Sequence, residues 1–108
     1  MLTKEELAEF LAMLLAFALR NEFSAAMCSK VLGVSHQSTA RWISMARGLQ
    51  NGTEPSATVY RYLAEPAIKK LTTLNELDAE RGLFTAIKRE KPAKKVEILS
   101  GALDGRTV

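Results

Sequence analysis

The stretch Ser24–Arg47, SAAMCSKVLGVSHQSTARWISMAR, decides the fold of this 108-residue chain. Its serines and glycines mark helix ends: Ser24 has the side chain of an N-cap, and Gly33 tolerates the positive φ at which helices often stop. A short helix is therefore predicted over residues 25–32. A second helix is predicted over residues 36–47, and two helices joined by a short turn that contains glycine form a helix-turn-helix.

The second of these helices has its own start, end and buried face. Ser35 can cap its first turn, and Gly48 is its predicted end. In helical register Thr39 and Trp42 face back toward the first helix, from which Cys28 faces inward. We therefore expect Trp42 to be a core residue rather than a base-stacking one. Cys28 is expected to be an inert buried thiol rather than a redox site.

The same residues carry a resemblance to a known family. Leu32–Ser35, Ser38–Thr39 and Arg41–Trp42 match the LGVS…TV.RW pattern without a gap. On this pattern the stretch resembles the helix-turn-helix of bacterial and phage transcriptional regulators of the Cro and repressor kind. The chain departs from the pattern at Ser29, where a small alanine is usual, at Thr39, where valine or isoleucine is usual, and in a longer loop before Pro55.

The resemblance implies that residues 36–47 lie in the major groove of double-stranded DNA, with the amino-terminal end toward the base edges. By helical spacing, the outer face of this helix carries the candidate base contacts His36, Gln37, Ala40, Arg41 and Ser44. Gln37 suits adenine, Arg41 suits guanine or a phosphate, and Ala40 suits a thymine methyl group. The candidate phosphate contacts, which would position the protein without reading sequence, are Ser24, Lys30, Ser35, Ser38 and Arg47. The alternative for each is an ordinary cap or an exposed helix residue.

The first helix is expected to be the central core helix. Thr3 and Glu6 have the spacing of a capping box, in which each side chain accepts a hydrogen bond from the other residue's backbone N–H. Phe10–Leu19, FLAMLLAFAL, is apolar throughout. A membrane span needs roughly 20 such residues, and the acidic start does not suit a signal peptide. We therefore expect a cytoplasmic protein without a membrane partner, and the alternative use of this apolar helix is a subunit interface.

The remainder of the chain also has helical periodicity, so the fold class predicted is all-α. We expect a compact domain of five to seven helices that contains the helix-turn-helix. Residues 1–65 are predicted to form the DNA-binding region, and residues 66–108 a helical region for packing or oligomerisation. Further helices are predicted over residues 56–64 and, after a break or kink at Pro66, over residues 66–79. Leu83, Phe84 and Ile87 extend that helix or form another, and a last helix is predicted from Pro92 to a stop at Gly105.

The charge is spread unevenly along the chain, whose net charge is +3. The segment before Ser24 has more acidic than basic residues, whereas the segments that follow have more basic ones. A DNA-binding face is therefore expected after the first helix. The basic run Lys88–Lys95, KREKPAKK, could hold the DNA backbone and steepen the salt dependence of binding. Its alternative is a solvated link between two helices.

Several classes of protein are excluded by residue counts and missing motifs. One cysteine excludes an internal disulfide, and a single histidine leaves few nitrogen and sulfur ligands for a metal. The sequence has no glycine-rich phosphate loop, no HExxH motif and no nucleophile elbow. We therefore expect no enzymatic activity, no cofactor and no metal.

Three functions remain open from the sequence. The first is a sequence-specific transcriptional regulator of phage or plasmid type, a repressor or activator that binds double-stranded DNA as a homodimer and blocks or recruits RNA polymerase. The second is a DNA-packaging component similar to a phage small terminase subunit, which predicts a large ring. The third is a module that uses the helix-turn-helix to bind a host enzyme, which predicts negligible affinity for DNA.

Overall fold

A computed structural model describes the backbone of residues 2–54 and 61–107, and the side chains of residues 2–54 and 64–105. Within these ranges the chain forms six helices and no strand. They are α1 (Lys4–Asn21), α2 (Ala25–Leu32), α3 (His36–Gln50), α4 (Arg61–Arg81), α5 (Leu83–Ala86) and α6 (Pro92–Thr107). The prediction of an all-α domain of five to seven helices is confirmed. Most of the helix predicted over residues 56–64 lies outside the described residues.

The capping box predicted at the start of α1 is present. The Glu6 N–H donates to the Thr3 hydroxyl, and the Thr3 N–H donates to the Glu6 carboxylate, both at 3.1 Å. The helix ends at Asn21, and its C-cap Glu22 has a φ of 58°. The side chains that α1 contributes to the core are Leu7, Phe10, Leu11, Leu14, Leu15, Phe17 and Ala18. Burial on this scale confirms that α1 is a core helix.

Helix α2 has the predicted bounds, whereas α3 is longer than predicted. Gly48 does not end α3, which continues to Gln50. The turn that does end the helix comes later, at Gly52, where φ is 85°. Leu49 packs against the core from this extra turn. The prediction of a stop at Gly48 is wrong because a glycine without positive φ can remain helical when the next residue gains packing.

Helix α4 continues through Pro66 without interruption. The break predicted there is therefore wrong. Proline removes a backbone hydrogen bond at a cost of about 3 kcal/mol, but Pro66 is exposed, and a buried face continues past it from Ala64 to Ala67 and Leu71. Burial of this face offsets the lost bond. The helix also crosses the boundary that was predicted between residues 65 and 66.

A single turn residue separates α5 from α4, and residues 87–91 separate α6 from α5. Gly82 has a φ of 64°, and α5 begins directly after it. Leu83–Ala86 therefore form a separate short helix rather than an extension of α4. Helix α6 begins at Pro92 as predicted but passes Gly105 and continues to Thr107. The predicted stop at Gly105 is wrong, because that glycine does not adopt a positive φ.

A single core joins α1 to the helices around it. The Phe10 and Trp42 rings meet edge to face at a centroid distance of 5.1 Å, which ties α1 to α3. Phe17 makes similar contacts with Phe23 and with Phe84 on α5. Trp42 and Cys28 are fully buried, which confirms the core positions predicted for them.

No single described helix is long and apolar enough to cross a membrane. Helices α1 and α2 meet that test only as a pair, and they bend by 111° at the break between them.

Candidate nucleic-acid interface

The turn between α2 and α3 has a left-handed backbone that favours glycine. Gly33 has a φ of 68°, and its N–H donates to the Ser29 carbonyl oxygen at 2.9 Å. The Val34 N–H donates to the same oxygen at 3.3 Å, which closes the end of α2. A Cβ atom at position 33 would lie 2.7 Å from the Lys70 Nζ. The positive φ favours glycine there, and a side chain would also displace the Lys70 ammonium.

Lys70, on α4, contacts the turn between α2 and α3. Its ammonium donates to the Leu32 carbonyl oxygen at 3.1 Å, at the carboxy-terminal end of α2. A cation at this position stabilises the partial negative charge of the helix end. No local sequence pattern links Lys70 to Leu32, because the two residues are 38 positions apart.

The N-cap residue Ser35 fixes the start of α3. The Ser35 hydroxyl accepts a hydrogen bond from the Ser38 N–H at 3.1 Å and donates to the Ser38 hydroxyl at 2.9 Å. The Thr39 hydroxyl donates to the Ser35 carbonyl oxygen at 3.0 Å. Ser38 is only 5% exposed. Ser38 is therefore less accessible than the other predicted phosphate contacts, and its hydroxyl accepts a hydrogen bond from the Ser35 hydroxyl.

Helix α3 has one buried and one exposed face. The buried face consists of Ser38, Thr39, Trp42, Ile43 and Ala46. The exposed side chains are His36, Gln37, Ala40, Arg41, Ser44, Arg47 and Gln50. All five candidate base contacts thus share the outer side of one helix, and the Trp42 ring anchors that helix from behind. A rigid helix of this kind can present donors and acceptors at fixed spacing to a groove.

The charges around α3 suit a polyanion. The helix contains the cations Arg41 and Arg47 but no acidic residue. The exposed serines Ser24 and Ser35 cap α2 and α3, so the positive ends of both helix dipoles are near the surface. Together with exposed Lys30 on α2, these groups place donors and positive potential on the α2–turn–α3 unit.

The basic run Lys88–Lys95 contains both buried and exposed cations. Lys95 is only 3% exposed, and its ammonium donates to the Asn21 carbonyl oxygen at 2.9 Å. Lys94 forms an exposed ion pair with Glu97 at 3.6 Å. The exposed cations are Lys88, Arg89, Lys91 and Lys94. One of the five positive charges therefore has a structural role, and four remain accessible to solvent.

The described residues contain no group of three or more side chains that could hold a metal ion. Burial raises the pKa of the Cys28 thiol to about 12. A thiol with so high a pKa forms little thiolate at neutral pH and is a poor nucleophile.

Comparison of the chain with protein-family models, with characterised proteins and with solved structures finds no match. What supports a function is therefore the chemistry and the geometry of the α2–turn–α3 unit.

Proposed function

We propose that this protein is a sequence-specific regulator of transcription that binds double-stranded DNA as a homodimer, with α3 as the recognition helix in the major groove. In this proposal it belongs with the repressors and activators of phage or plasmid type. Occupancy of its site would block or recruit RNA polymerase.

The observation that carries the proposal is the division of α3 into two faces. Thr39 and Trp42 are fully buried and fix the helix to the rest of the domain. Gln37 and Arg41 are exposed on the opposite side, one helical turn apart. In a major groove, the amide of Gln37 can pair with adenine, and the guanidinium of Arg41 can pair with guanine.

The flanking residues support the same orientation. Ser24 and Ser35 cap the amino-terminal ends of α2 and α3, where backbone N–H groups favour phosphate oxygens. Lys30 and Arg47 add exposed positive charge. Such contacts set the register of a protein on the duplex and leave sequence reading to the outer face of α3.

The experiment that tests the proposal is selection of bound duplexes from a random DNA pool at near-physiological salt, followed by sequencing. We expect enrichment of an inverted repeat whose half-sites lie about one helical turn, or roughly 34 Å, apart. Retention of DNA without enrichment would contradict sequence-specific regulation and favour a packaging role. No retained DNA at all would favour a module that binds a protein.

A further inference from the structure

Two hydrogen bonds hold the basic run against the carboxy-terminal end of α1. On one side of the run, the Arg20 guanidinium donates to the Thr85 hydroxyl at 2.9 Å. On the other side, the Lys95 ammonium donates to the Asn21 carbonyl oxygen at 2.9 Å. The segment between Thr85 and Lys95, which includes the exposed cations of the run, therefore lies between two contacts with consecutive residues of α1.

The same end of α1 leads directly into the helix-turn-helix. Ser24, the N-cap of α2, follows Asn21 by three residues, so their Cα atoms are at most about 11 Å apart. Helix α6 also packs against α2. Lys94 adjoins Lys95 in the chain, and Lys91 lies one helical turn earlier, about 6 Å along the axis. Both lysines are exposed, so their ammonium groups are open to solvent on the Ser24 side of the domain.

The charge of this region is positive in sum. Residues 20–24 and 85–97 contain six basic and three acidic side chains. The acids are Glu22, Glu90 and Glu97, and all three are exposed. Glu97 pairs with Lys94 at 3.6 Å, but both side chains are more than half exposed, and ion pairs in water are weak. A phosphate can therefore compete for the Lys94 ammonium.

We propose that Lys91 and Lys94 bind DNA phosphates next to the one that Ser24 contacts in the proposed function. The inference rests on that function for the duplex itself, and it extends the DNA interface from the α2–turn–α3 unit to the start of α6. A duplex carries one phosphate charge about every 1.7 Å of its axis, so a surface beside one phosphate contact faces further phosphates. Lysines placed there add affinity and salt dependence without reading sequence.

Fluorescence anisotropy with two duplexes of about 30 base pairs tests the proposal, one with the selected site and one of mixed sequence. For Lys91→Gln/Lys94→Gln, we expect the dissociation constant at about 100 mM salt to rise roughly fivefold or more on both duplexes. The plot of log K against log salt should be less steep by about 1.8, because each phosphate contact contributes about 0.9. The preference for the selected duplex should stay within about twofold of the wild-type value, because phosphates carry no sequence information.

The matched control is Lys4→Gln/Arg81→Gln, which removes the same charge from two exposed positions elsewhere. Lys4 begins α1 and lies about 26 Å from Asn21 along the helix. Arg81 lies beside Gly101 and Gly105, in the carboxy-terminal half of α6. We expect the control to stay within about twofold of the wild-type dissociation constant, with a salt slope that changes by less than about 0.5. Urea midpoints check that both double variants fold.

Ethylation interference on the selected duplex locates the contact. Ethylation removes the charge of one phosphate at a time. We expect it to weaken binding of the wild type and of the control variant at phosphates adjacent to each half-site. At those phosphates it should have little further effect on Lys91→Gln/Lys94→Gln, which has already lost the cations. Identical interference patterns for the three proteins would contradict contacts by Lys91 and Lys94.

The outcomes separate this inference from the proposed function. If Lys91→Gln/Lys94→Gln bound the selected duplex as the control does, the inference would be overturned and the proposed function kept. If selection enriched no site, but this variant still lost affinity and salt slope on the mixed duplex, the inference would be kept and sequence-specific regulation overturned. Absence of wild-type binding to any duplex at low salt would overturn both.

Discussion

The Lys95 ammonium donates a hydrogen bond to the Asn21 carbonyl oxygen across 2.9 Å and thereby joins the first turn of α6 to the last turn of α1. Both side chains are buried, and the Asn21 amide in turn donates to the Phe17 carbonyl oxygen at 3.1 Å. A cation at the carboxy-terminal end of a helix stabilises the helix dipole. The same lysine belongs to a basic run that the sequence suggested for DNA binding.

Replacement of Lys95 by methionine should therefore destabilise the fold. Lys95→Met keeps an apolar stem but leaves the buried Asn21 carbonyl oxygen without the donor, and we expect the free energy of unfolding to fall by about 1–3 kcal/mol. Urea denaturation followed by circular dichroism measures this loss. Lys94→Met is the matched control, because Lys94 is exposed, and its change should stay within roughly 0.5 kcal/mol. Equal effects of the two substitutions would contradict the structural role of Lys95.

Local chemistry explains how much of the helix-turn-helix could be predicted. The caps at Thr3, Ser24 and Ser35 form as expected, because each bond joins residues only three positions apart. Gly33 could be placed in the turn because the positive φ that ends a helix there costs glycine little. The outer face of α3 followed from helical periodicity once the two ends of the helix were known.

Contacts between distant residues explain what could not be predicted. Lys70 binds the Leu32 carbonyl oxygen and Lys95 binds that of Asn21, at separations of 38 and 74 residues. In the sequence, both lysines look like ordinary surface charges. Pro66 and Gly105 likewise look like helix breaks when only the neighbouring residues in the sequence are considered. Whether a helix continues through such a residue depends on what its neighbours bury, and that depends on the fold.

A side chain at position 33 should destabilise the turn between α2 and α3. Gly33→Ala places a Cβ atom at positive φ and 2.7 Å from the Lys70 Nζ, and we expect a loss of stability of about 1–2 kcal/mol in urea denaturation. Gly101→Ala is the control, because an added Cβ meets nothing within 4 Å and the residue lies inside α6. That substitution should stabilise the protein by roughly 0.5–1 kcal/mol. A neutral Gly33→Ala would show that the turn does not need its left-handed backbone.

Combining Gly33→Ala with Lys70→Ala should separate the two causes of that loss. The double variant removes the close approach to the ammonium but keeps the unfavourable φ. We therefore expect the second substitution to cost less in the Gly33→Ala background than in the wild type. A double-mutant cycle in urea measures this coupling. Strictly additive effects would indicate that Lys70 moves aside freely.

The buried thiol of Cys28 should make stability fall at alkaline pH. Burial raises its pKa from 9.0 to about 12. Below pH 9 the thiol is protonated in both states; between pH 9 and 12 it ionises only in the unfolded chain, which favours unfolding. The free energy of unfolding should lose about 1.4 kcal/mol per pH unit from this group in that window. The slope for wild type minus that for Cys28→Ala isolates the thiol, and equal slopes would contradict its burial.

Arg41 and Lys30 should affect DNA binding in different ways if α3 reads the major groove. Arg41→Ala removes a candidate base contact, so we expect a loss of about 1–3 kcal/mol on the selected duplex and relaxed preference at one base pair. Lys30→Gln removes a candidate phosphate contact and should weaken binding similarly on all duplexes, with a salt slope smaller by about 1. Fluorescence anisotropy on the selected site and on single-base variants, at several salt concentrations, measures both effects. Circular dichroism and urea midpoints control for folding. If Arg41→Ala weakened all duplexes equally and reduced the salt slope, Arg41 would be a phosphate contact, and sequence reading would fall to the other side chains on the outer face of α3.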